Sequence, residues 1–266
     1  MDAFYASVEL LRYPQLAGLP VVIGGRRRAE DDALASAYDG RLAEIPLEYF
    51  ARLQGYVSRG VITTATYAAR AFGVGSAMGL MKAARLCPRP SCCRSDFAEY
   101  RRYSRRFKEV ILSIAPVMEA KGVDEVYIDF THVPGGAARG RARAGAVAAA
   151  QHLDATGLSC SIGVAPNKLL AKMASEFQKP GGISIVQPEE LQALVWPLAC
   201  RKINGIGEKA DAKLQAHGIR TIRELAACPS ATGWWRISAS PRACGCTRRP
   251  GGVTSAPWSR TVSLSR

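Results

Sequence analysis

The sequence predicts an α+β fold in which short strands and helices alternate around one β-hairpin. Segments rich in β-branched residues recur between segments with helical periodicity. Two strand-like segments, 117–121 and 125–131, follow each other with only a three-residue connection. Strand–helix–strand units on either side of a hairpin are typical of a split β-α-β sheet. That sheet is the expected centre of the fold.

The amino-terminal part contributes further strands to this pattern. Residues 20–24 predict a short buried strand that ends in glycine. Residues 26–58 are rich in charge and have little periodicity, so they predict an inserted loop with one short helix. Residues 60–66 are β-branched and predict a strand, and 67–72 predict a helix that stops at Gly73.

The central part predicts the helices that cover the sheet. In 97–115, apolar and aromatic residues recur every three or four positions, and the helix ends before Pro116. Residues 141–156 predict an Ala-rich helix, 158–164 a strand and 167–177 another helix. The polar face of the first helix is basic and is expected to be solvated; it carries Arg101, Arg102, Arg105, Arg106 and Lys108.

A helical module is predicted from about residue 187. Its short helices are expected at 188–195, 207–216 and 221–227. Gly205 and Gly207 alternate with apolar residues between two of them, and Lys209 follows, a pattern that indicates a helix-hairpin-helix. Glycines there let the backbone approach a DNA phosphate and donate N–H groups. An ordinary glycine turn is the alternative.

The charge of the chain suits a polyanionic partner. It has 36 Lys and Arg against 22 Asp and Glu, a formal net charge of +14. A merely basic protein is the alternative. Residues 233–266 carry six Arg and no acid, so part of the excess lies in this segment.

Composition also predicts a cytoplasmic protein. The sequence has no run of 18 or more apolar residues, and its first residues carry an acid rather than the basic run of a signal peptide. The cysteines lack Cys-x-x-Cys spacing and have no histidine at ligand spacing, so reduced thiols are expected, several of them buried. They are Cys87, Cys92, Cys93, Cys160, Cys200, Cys228, Cys244 and Cys246.

Asp124 and Glu125 are the candidate metal ligands. Adjacent carboxylates point to opposite faces of a strand, but at a hairpin bend both can reach one cleft. Paired carboxylates suit Mg²⁺, a hard ion that takes oxygen ligands and keeps phosphates in its shell. A surface turn is the alternative.

Two further patterns suit phosphate. Thr64, Tyr67 and Arg70 straddle a strand-to-helix junction, where helix-start N–H groups, a hydroxyl and a guanidinium can converge. Lys168 opens the helix after the strand 158–164 and supplies a point charge. A core tyrosine with surface cations is the alternative.

Taken together and in order, these segments resemble the Y family of translesion DNA polymerases. The resemblance covers about 1–227, with 26–58 as the main break. Among its motifs is Asp124-Glu-Val-Tyr-Ile-Asp129. The matching segments are 1–9, 20–24, 64–74, 76–78, 124–129, 163–175, 179–182, 201–207 and 218–225.

The resemblance implies a right-hand polymerase with a ferredoxin-like palm sheet, small fingers and a helix-hairpin-helix thumb. It implies error-prone synthesis past lesions, in which a primer 3′-hydroxyl attacks a deoxynucleoside triphosphate and pyrophosphate leaves. Two Mg²⁺ ions roughly 3.5–4 Å apart are expected to serve this reaction. Primer-template DNA is the implied partner of a monomer, and a sliding clamp is a family partner whose binding peptide is not visible here.

The resemblance also implies roles for individual residues. Asp124 is expected to bind Mg²⁺, with Glu125 as the neighbouring catalytic carboxylate. Tyr5 is expected to be the steric gate against a ribose 2′-hydroxyl, and Phe4 to line the nucleotide pocket. The incoming triphosphate is expected to be held by Tyr67, Arg70 and Lys168, with Thr64 beside them.

At the amino end the sequence departs from the family pattern. The family has a further metal-binding Asp two residues before the position of Asp2, which here falls immediately before Met1, together with the palm strand that carries it. Asp2 is not expected to replace it, because two positions along a strand displace a side chain by roughly 6.6 Å. An internal Met taken as the start is the hypothesis. Gly122 stands where the family often has Ser.

The carboxyl end departs as well. After Ser230 the helical pattern gives way to Trp, Ser, Arg, Pro, Gly and Cys, so 231–266 is expected to be an aberrant or disordered tail. Translation in a wrong reading frame is one interpretation, and a basic DNA-binding tail is the other. The little-finger domain of the family is expected to be absent.

The predicted domains follow from these boundaries: fingers with part of the palm over 1–94, palm over 95–186, thumb over 187–230, then the tail. The leading hypothesis is a translesion polymerase whose activity is impaired in this chain. A non-catalytic DNA-binding accessory relative and a pseudogene product that does not fold stably are the alternatives.

Overall fold

The computed structural model describes residues 1–26, 29–57, 59–87, 90–130, 138–228 and 261–265 of the 266-residue chain. The helices are α1 (Phe4–Arg12), α2 (Ala29–Ala37), α3 (Tyr67–Arg70), α4 (Leu80–Leu86), α5 (Phe97–Ile114), α6 (Ala138–Thr156), α7 (Lys168–Ala174), α8 (Leu191–Leu194), α9 (Glu208–Ala216) and α10 (Ile222–Ala227). The strands are β1 (Val21–Arg26), β2 (Ala51–Arg52), β3 (Ile62–Ala65), β4 (Ser91–Ser95), β5 (Met118–Ala120), β6 (Val126–Asp129), β7 (Ser161–Ala165), β8 (Ile183–Ile185) and β9 (Thr261–Ser265).

The palm is a five-stranded sheet with the order β5-β6-β9-β7-β8. β5 and β6 form the predicted antiparallel hairpin, and β7 pairs in parallel with β8. On one face, Ile162 and Val164 of β7 approach Gly145 of α6; on the other, Gly163 meets Ala171 of α7. The two faces are therefore covered by different helices, and the ferredoxin-like α+β palm is confirmed.

The central strand of this sheet is a correction to the sequence prediction. Residues 261–265, expected to belong to a disordered tail, form β9 and pair antiparallel with both β6 and β7. The tail prediction is wrong for this segment because Thr-Val-Ser-Leu-Ser alternates polar and apolar residues, a strand pattern too short to detect without its partners. Residues 229–260, which contain the Trp-rich and Cys-rich part of the tail, lie outside the described residues.

The fingers contain a second sheet with the order β2-β4-β1-β3. The predicted strands at 20–24 and 60–66 are confirmed as β1 and β3, which pair antiparallel. The segment predicted as an insertion loop contains the expected short helix, α2, but also 3-10 turns and β2. β2 was not predicted because its two residues carry no periodic signal; pairing with β4 defines it.

The helices that support the palm agree with the sequence periodicity. α5 is capped by Asp96, whose side chain accepts hydrogen bonds from the backbone N–H groups of Ala98 and Glu99, and it ends before Pro116. It buries Phe107 and Ile111 in the core cluster that also contains the sheet residues. The thumb comprises α8, α9 and α10, as the short helical pattern predicted.

Candidate active site at the palm hairpin

Two carboxylates lie at the turn between β5 and β6. The backbone N–H groups of Lys121 and Gly122 donate to the carbonyl of Glu125 at 3.0 and 3.3 Å, which closes the turn. Asp124 is buried, with 6% of its surface exposed. The Oε1 atom of Glu125 is buried without a hydrogen-bond partner, and its Oε2 lies 3.5 Å from the Nζ of Lys172 on α7. A buried, unpartnered carboxylate oxygen beside a second carboxylate fits a hard cation.

Asp2 is committed to a structural contact rather than to this pair. Its carboxylate accepts hydrogen bonds from Ser161 Oγ at 2.7 Å, Ser159 Oγ at 3.2 Å and the backbone N–H of Gly181 at 2.9 Å. These bonds tie α1 to β7 and to the turn after α7. Among the described residues, no group of three or more His, Cys, Asp or Glu side chains is placed to hold a metal ion.

The amino group of Met1 donates to the backbone carbonyl of Asp124 at 2.8 Å. Burial lowers the pKa of this amino group, while the nearby negative charge of Asp124 opposes the effect. The first residue of the chain is therefore docked against the carboxylate pair.

A cleft next to Asp124 gathers several residues that the sequence singled out. Phe4, Tyr5, Thr64 and Arg70 line it together with Asp124. The remaining lining residues are Ala3, Thr63 and Ser76. The cleft therefore lies between the start of α1, strand β3 and the palm hairpin.

The ring of Tyr5 is held in place by aromatic packing. It stacks on Tyr100 of α5 with 4.2 Å between ring centroids. Tyr100 is itself fixed, because its hydroxyl donates to Glu9 Oε1 at 2.7 Å in a buried contact. Burial, followed by the charge of Glu9, raises the pKa of Tyr100, so it stays neutral. At the wall of the cleft, Tyr5 is therefore packed against a buried, hydrogen-bonded ring.

Arg70 and Tyr67 form a unit on α3. The guanidinium of Arg70 donates to the carbonyl of Ala65 at 3.1 Å and to Thr64 Oγ1 at 3.4 Å, and lies 4.9 Å from the centroid of the Tyr67 ring. The hydroxyl of Tyr67 is buried without a hydrogen-bond partner. Burial is the main cause of its raised pKa, and the charge of Asp2 adds to it. A phosphate oxygen would satisfy this orphaned donor.

Lys168 does not line the cleft. Asn167 caps α7 through a hydrogen bond from the N–H of Leu170. Lys168 is the first helical residue; its ammonium forms an ion pair with Glu119 of β5 and lies 5.8 Å above the ring of Tyr127. The structure thus brings Phe4, Tyr5, Thr64 and Arg70 to Asp124, and leaves Tyr67 and Lys168 outside the lining.

The helix-hairpin-helix turn faces a groove between thumb and palm. Gly205 has φ +101°, a conformation that favours glycine, and Gly207 is the N-cap of α9. Both line the groove with Lys172 of the palm, and Arg201 and Lys202 add positive charge. Lys209 is exposed on the first turn of α9 but does not line the groove.

Sequence reasoning missed four partners of the site. Lys172 follows Lys168 by one helical turn, so its place on the same face of α7 could have been read from spacing. Glu119 and the serine partners of Asp2 carried no comparable signal. Their contacts join segments that are far apart in the chain.

A ferredoxin-like palm with adjacent carboxylates at its hairpin, a small fingers sheet and a helix-hairpin-helix thumb defines the core of a Y-family polymerase. No helix within the described residues is long and apolar enough to cross a membrane. The chain belongs to the impB/mucB/samB family, whose model matches residues 1–176, and the IMS family HHH motif matches residues 188–219.

Curated relatives and solved structures agree with this assignment. The chain is 36% identical over 225 residues to DNA polymerase IV of Xanthomonas euvesicatoria, covering 85% of this chain and 54% of the relative. It superposes on DinB from Sulfolobus solfataricus with a TM-score of 0.72 at 25% identity, covering 91% of this chain and 62% of that one. An insertion ternary complex of Dbh DNA polymerase gives a TM-score of 0.73 at 25% identity and the same coverage. The chain therefore spans about half the length of the curated relatives it matches.

Proposed function

We propose that this chain carries the catalytic core of a translesion DNA polymerase, which extends a primer on damaged template DNA with deoxynucleotides. One observation carries the proposal: Asp124 lines the same cleft as Phe4, Tyr5, Thr64 and Arg70. A carboxylate that can hold a cation thus adjoins side chains suited to a nucleotide and its phosphates. The membership of the impB/mucB/samB family supports the same activity.

Asp124 and Glu125 are the residues that would hold Mg²⁺. The buried, unpartnered Oε1 of Glu125 and the buried carboxylate of Asp124 provide the oxygen donors. When bound, the metal supplies charge stabilisation for the phosphoryl oxygens and activates the attacking hydroxyl. The role of Lys172 is to balance the charge of Glu125 from α7, since its ammonium lies 3.5 Å from that carboxylate.

The nucleotide would be oriented by the walls of the cleft. Tyr5 would exclude a ribose 2′-hydroxyl, and its stack on Tyr100 supports this role. Arg70 offers guanidinium donors to phosphate from the cleft wall. The hydroxyl of Tyr67 is buried outside the lining and would offer one more donor after it becomes exposed. Lys168 would contribute after leaving its ion pair with Glu119. Each of these residues binds or orients, so their contribution is positioning and electrostatic.

The thumb would grip duplex DNA without reading its sequence. The turn at Gly205 and Gly207 exposes backbone at the start of α9, and Arg201 and Lys202 lie beside it on the groove. Backbone N–H groups and basic side chains at such a turn suit phosphates of the primer-template. Binding through this surface should weaken steeply with salt.

Primer extension with Mg²⁺ and deoxynucleotides tests the proposal. We would compare this chain, a version extended at both ends to the length of the curated relatives, and each with Asp124→Ala or Glu125→Ala. We expect extension by the longer version, lost in both variants, and weaker extension by the 266-residue chain because it spans about half the length of the relatives. Failure of the longer version to extend, despite binding DNA, would favour the alternative of a DNA-binding accessory protein.

A further inference from the structure

β9 lies at the centre of the palm sheet although it comes last in chain order among the described strands. It pairs with β6 from Val126↔Leu264 to Asp129↔Thr261. It pairs with β7 from Ser161↔Ser265 to Ala165↔Thr261. Removing it would divide the sheet into the β5–β6 hairpin and the β7–β8 pair, and would leave two rows of backbone donors and acceptors without partners.

The position between β6 and β7 is also the place where the chain begins. The amino group of Met1 donates to the carbonyl of Asp124, and the backbone N–H of Asp2 donates to the carbonyl of Ser159. Continuing this antiparallel alignment one residue back from Met1 leads to a position opposite Ser161. That position is held by Ser265. On the β6 side, the same step leads from Asp124 to the position opposite Glu125. Extending the pair Val126↔Leu264 by one residue assigns this position to Ser265 as well.

We infer that the slot between β6 and β7 is a strand-accepting site, and that residues 261–265 fill it in the direction and register of a strand running directly into Met1. The two occupants exclude each other because they require the same backbone partners. This inference concerns the sheet and is independent of the proposed enzymatic function.

The residues on either side of the slot determine which segment can occupy it. The residues opposite 262 and 264 are Ile128, Val164, Val126 and Ile162, and all of them are buried. A five-residue segment that alternates polar and apolar residues, as Thr-Val-Ser-Leu-Ser does, matches this pattern. Register is strongly specified at such a site, since a slip of one residue moves every side chain to the other face.

Amide hydrogen exchange tests whether β9 occupies the slot. Leu264→Pro removes a backbone donor from a central strand, whereas Leu264→Val retains it and serves as the matched control. We expect the amides of 126–129 and 161–165 to exchange at least ~10-fold faster in the proline variant than in the control. Equal exchange in both would overturn the inference.

A second set of variants tests exchange of the strand. A copy of residues 261–265 is joined directly to Met1 of the Leu264→Pro chain, where it should restore protection of 126–129 and 161–165. The same copy followed by one extra glycine should not restore it, because the register is then shifted. If the proline variant is insoluble, recovery of soluble protein by the directly joined copy replaces exchange as the measurement, and no recovery refutes the site.

In the chain with intact 261–265, the directly joined copy should displace the carboxyl-terminal segment, since it is tethered at the end of the slot. We expect the amides of 261–265 to lose protection while those of β6 and β7 keep theirs. Simultaneous protection of the added copy and of 261–265 would show that the two do not compete, and would refute mutual exclusion.

Discussion

Gly163 of β7 lies against the backbone of Ala171 on α7, so closely that a β carbon built on Gly163 would stand 1.9 Å from the Ala171 carbonyl oxygen. The contact lets α7, with Lys168 and Lys172, lie directly on the palm sheet. The clashing atoms belong to the helix backbone, which cannot move aside as the end of a flexible side chain can. Because Gly163 has no β carbon, α7 can pack this close to β7, and this packing fixes the distance between α7 and the carboxylates of Asp124 and Glu125.

Gly163→Ala should consequently destabilise the fold by about 1–3 kcal/mol or more, since overpacking forces the helix to move. The measurement is the free energy of unfolding from urea titration. Gly75→Ala is the matched control, because no atom lies within 4 Å of a β carbon there and its φ is not positive. Equal stability of the two variants would contradict the close packing.

Asp2→Asn should also destabilise the protein, by about 1–3 kcal/mol. The carboxylate accepts three hydrogen bonds, whereas the NH₂ group of Asn would face one or more of the same donors and could not accept from them. Thermal unfolding followed by circular dichroism measures the effect. Asp39→Asn, at an exposed ion pair with Arg41, should change the midpoint little. A silent Asp2→Asn would mean that the link between α1 and β7 contributes nothing.

Glu119→Gln should strengthen binding of a deoxynucleoside triphosphate, because it releases Lys168 from its ion pair. The pair is partly exposed, so we expect a gain of a few-fold at most. Calorimetric titration with a nonhydrolysable triphosphate gives the Kd. Glu99→Gln, which removes the exposed pair with Arg102, is the control and should leave the Kd unchanged. An unchanged Kd in Glu119→Gln would argue against a phosphate role for Lys168.

His152 should make the fold sensitive to acid. Burial lowers its pKa from 6.5 to about 4, so the folded protein holds it neutral while the unfolded chain takes up a proton. Above about pH 6.5, His152 therefore does not affect the free energy of unfolding. As the pH falls from 6.5 toward 4, it lowers the free energy of unfolding progressively. His152→Phe should reduce the loss of unfolding free energy between pH 7.5 and 5. The exposed His217→Gln should not, and equal slopes in both variants would contradict the assignment.

Ser265→Asp should raise the affinity of the site for Mn²⁺ or Mg²⁺, because the register places this position opposite Ser161 and next to Glu125. Ser263→Asp is the control, since it lies two residues along the same strand, displaced by roughly 6.6 Å. Calorimetric metal titration is the measurement. Similar affinities in both variants would refute the position assigned to residue 265.

Local patterns predicted much of the fold and some of the site. The helix at 97–115 was predicted because its period and Pro116 act within one segment. The hairpin that carries Asp124 and Glu125 was predicted from two adjacent strand patterns. In contrast, β9 and the Glu119–Lys168 pair depend on partners far away in the chain, so no local pattern could reveal them.

The position of β9 has a consequence for biosynthesis. Leu264 pairs with Val126 and Ile162, so the middle of the sheet is supplied after all its neighbours have been translated. Contacts between residues this far apart in the chain form only after long loops have closed, and the entropy cost of that closure slows folding. During translation, before residues 261–265 are available, the palm sheet would stay divided, with the edges of β6 and β7 unpaired. Chaperones bind such states, which also aggregate readily. The yield of native protein should therefore depend on how quickly residues 261–265 leave the exit tunnel.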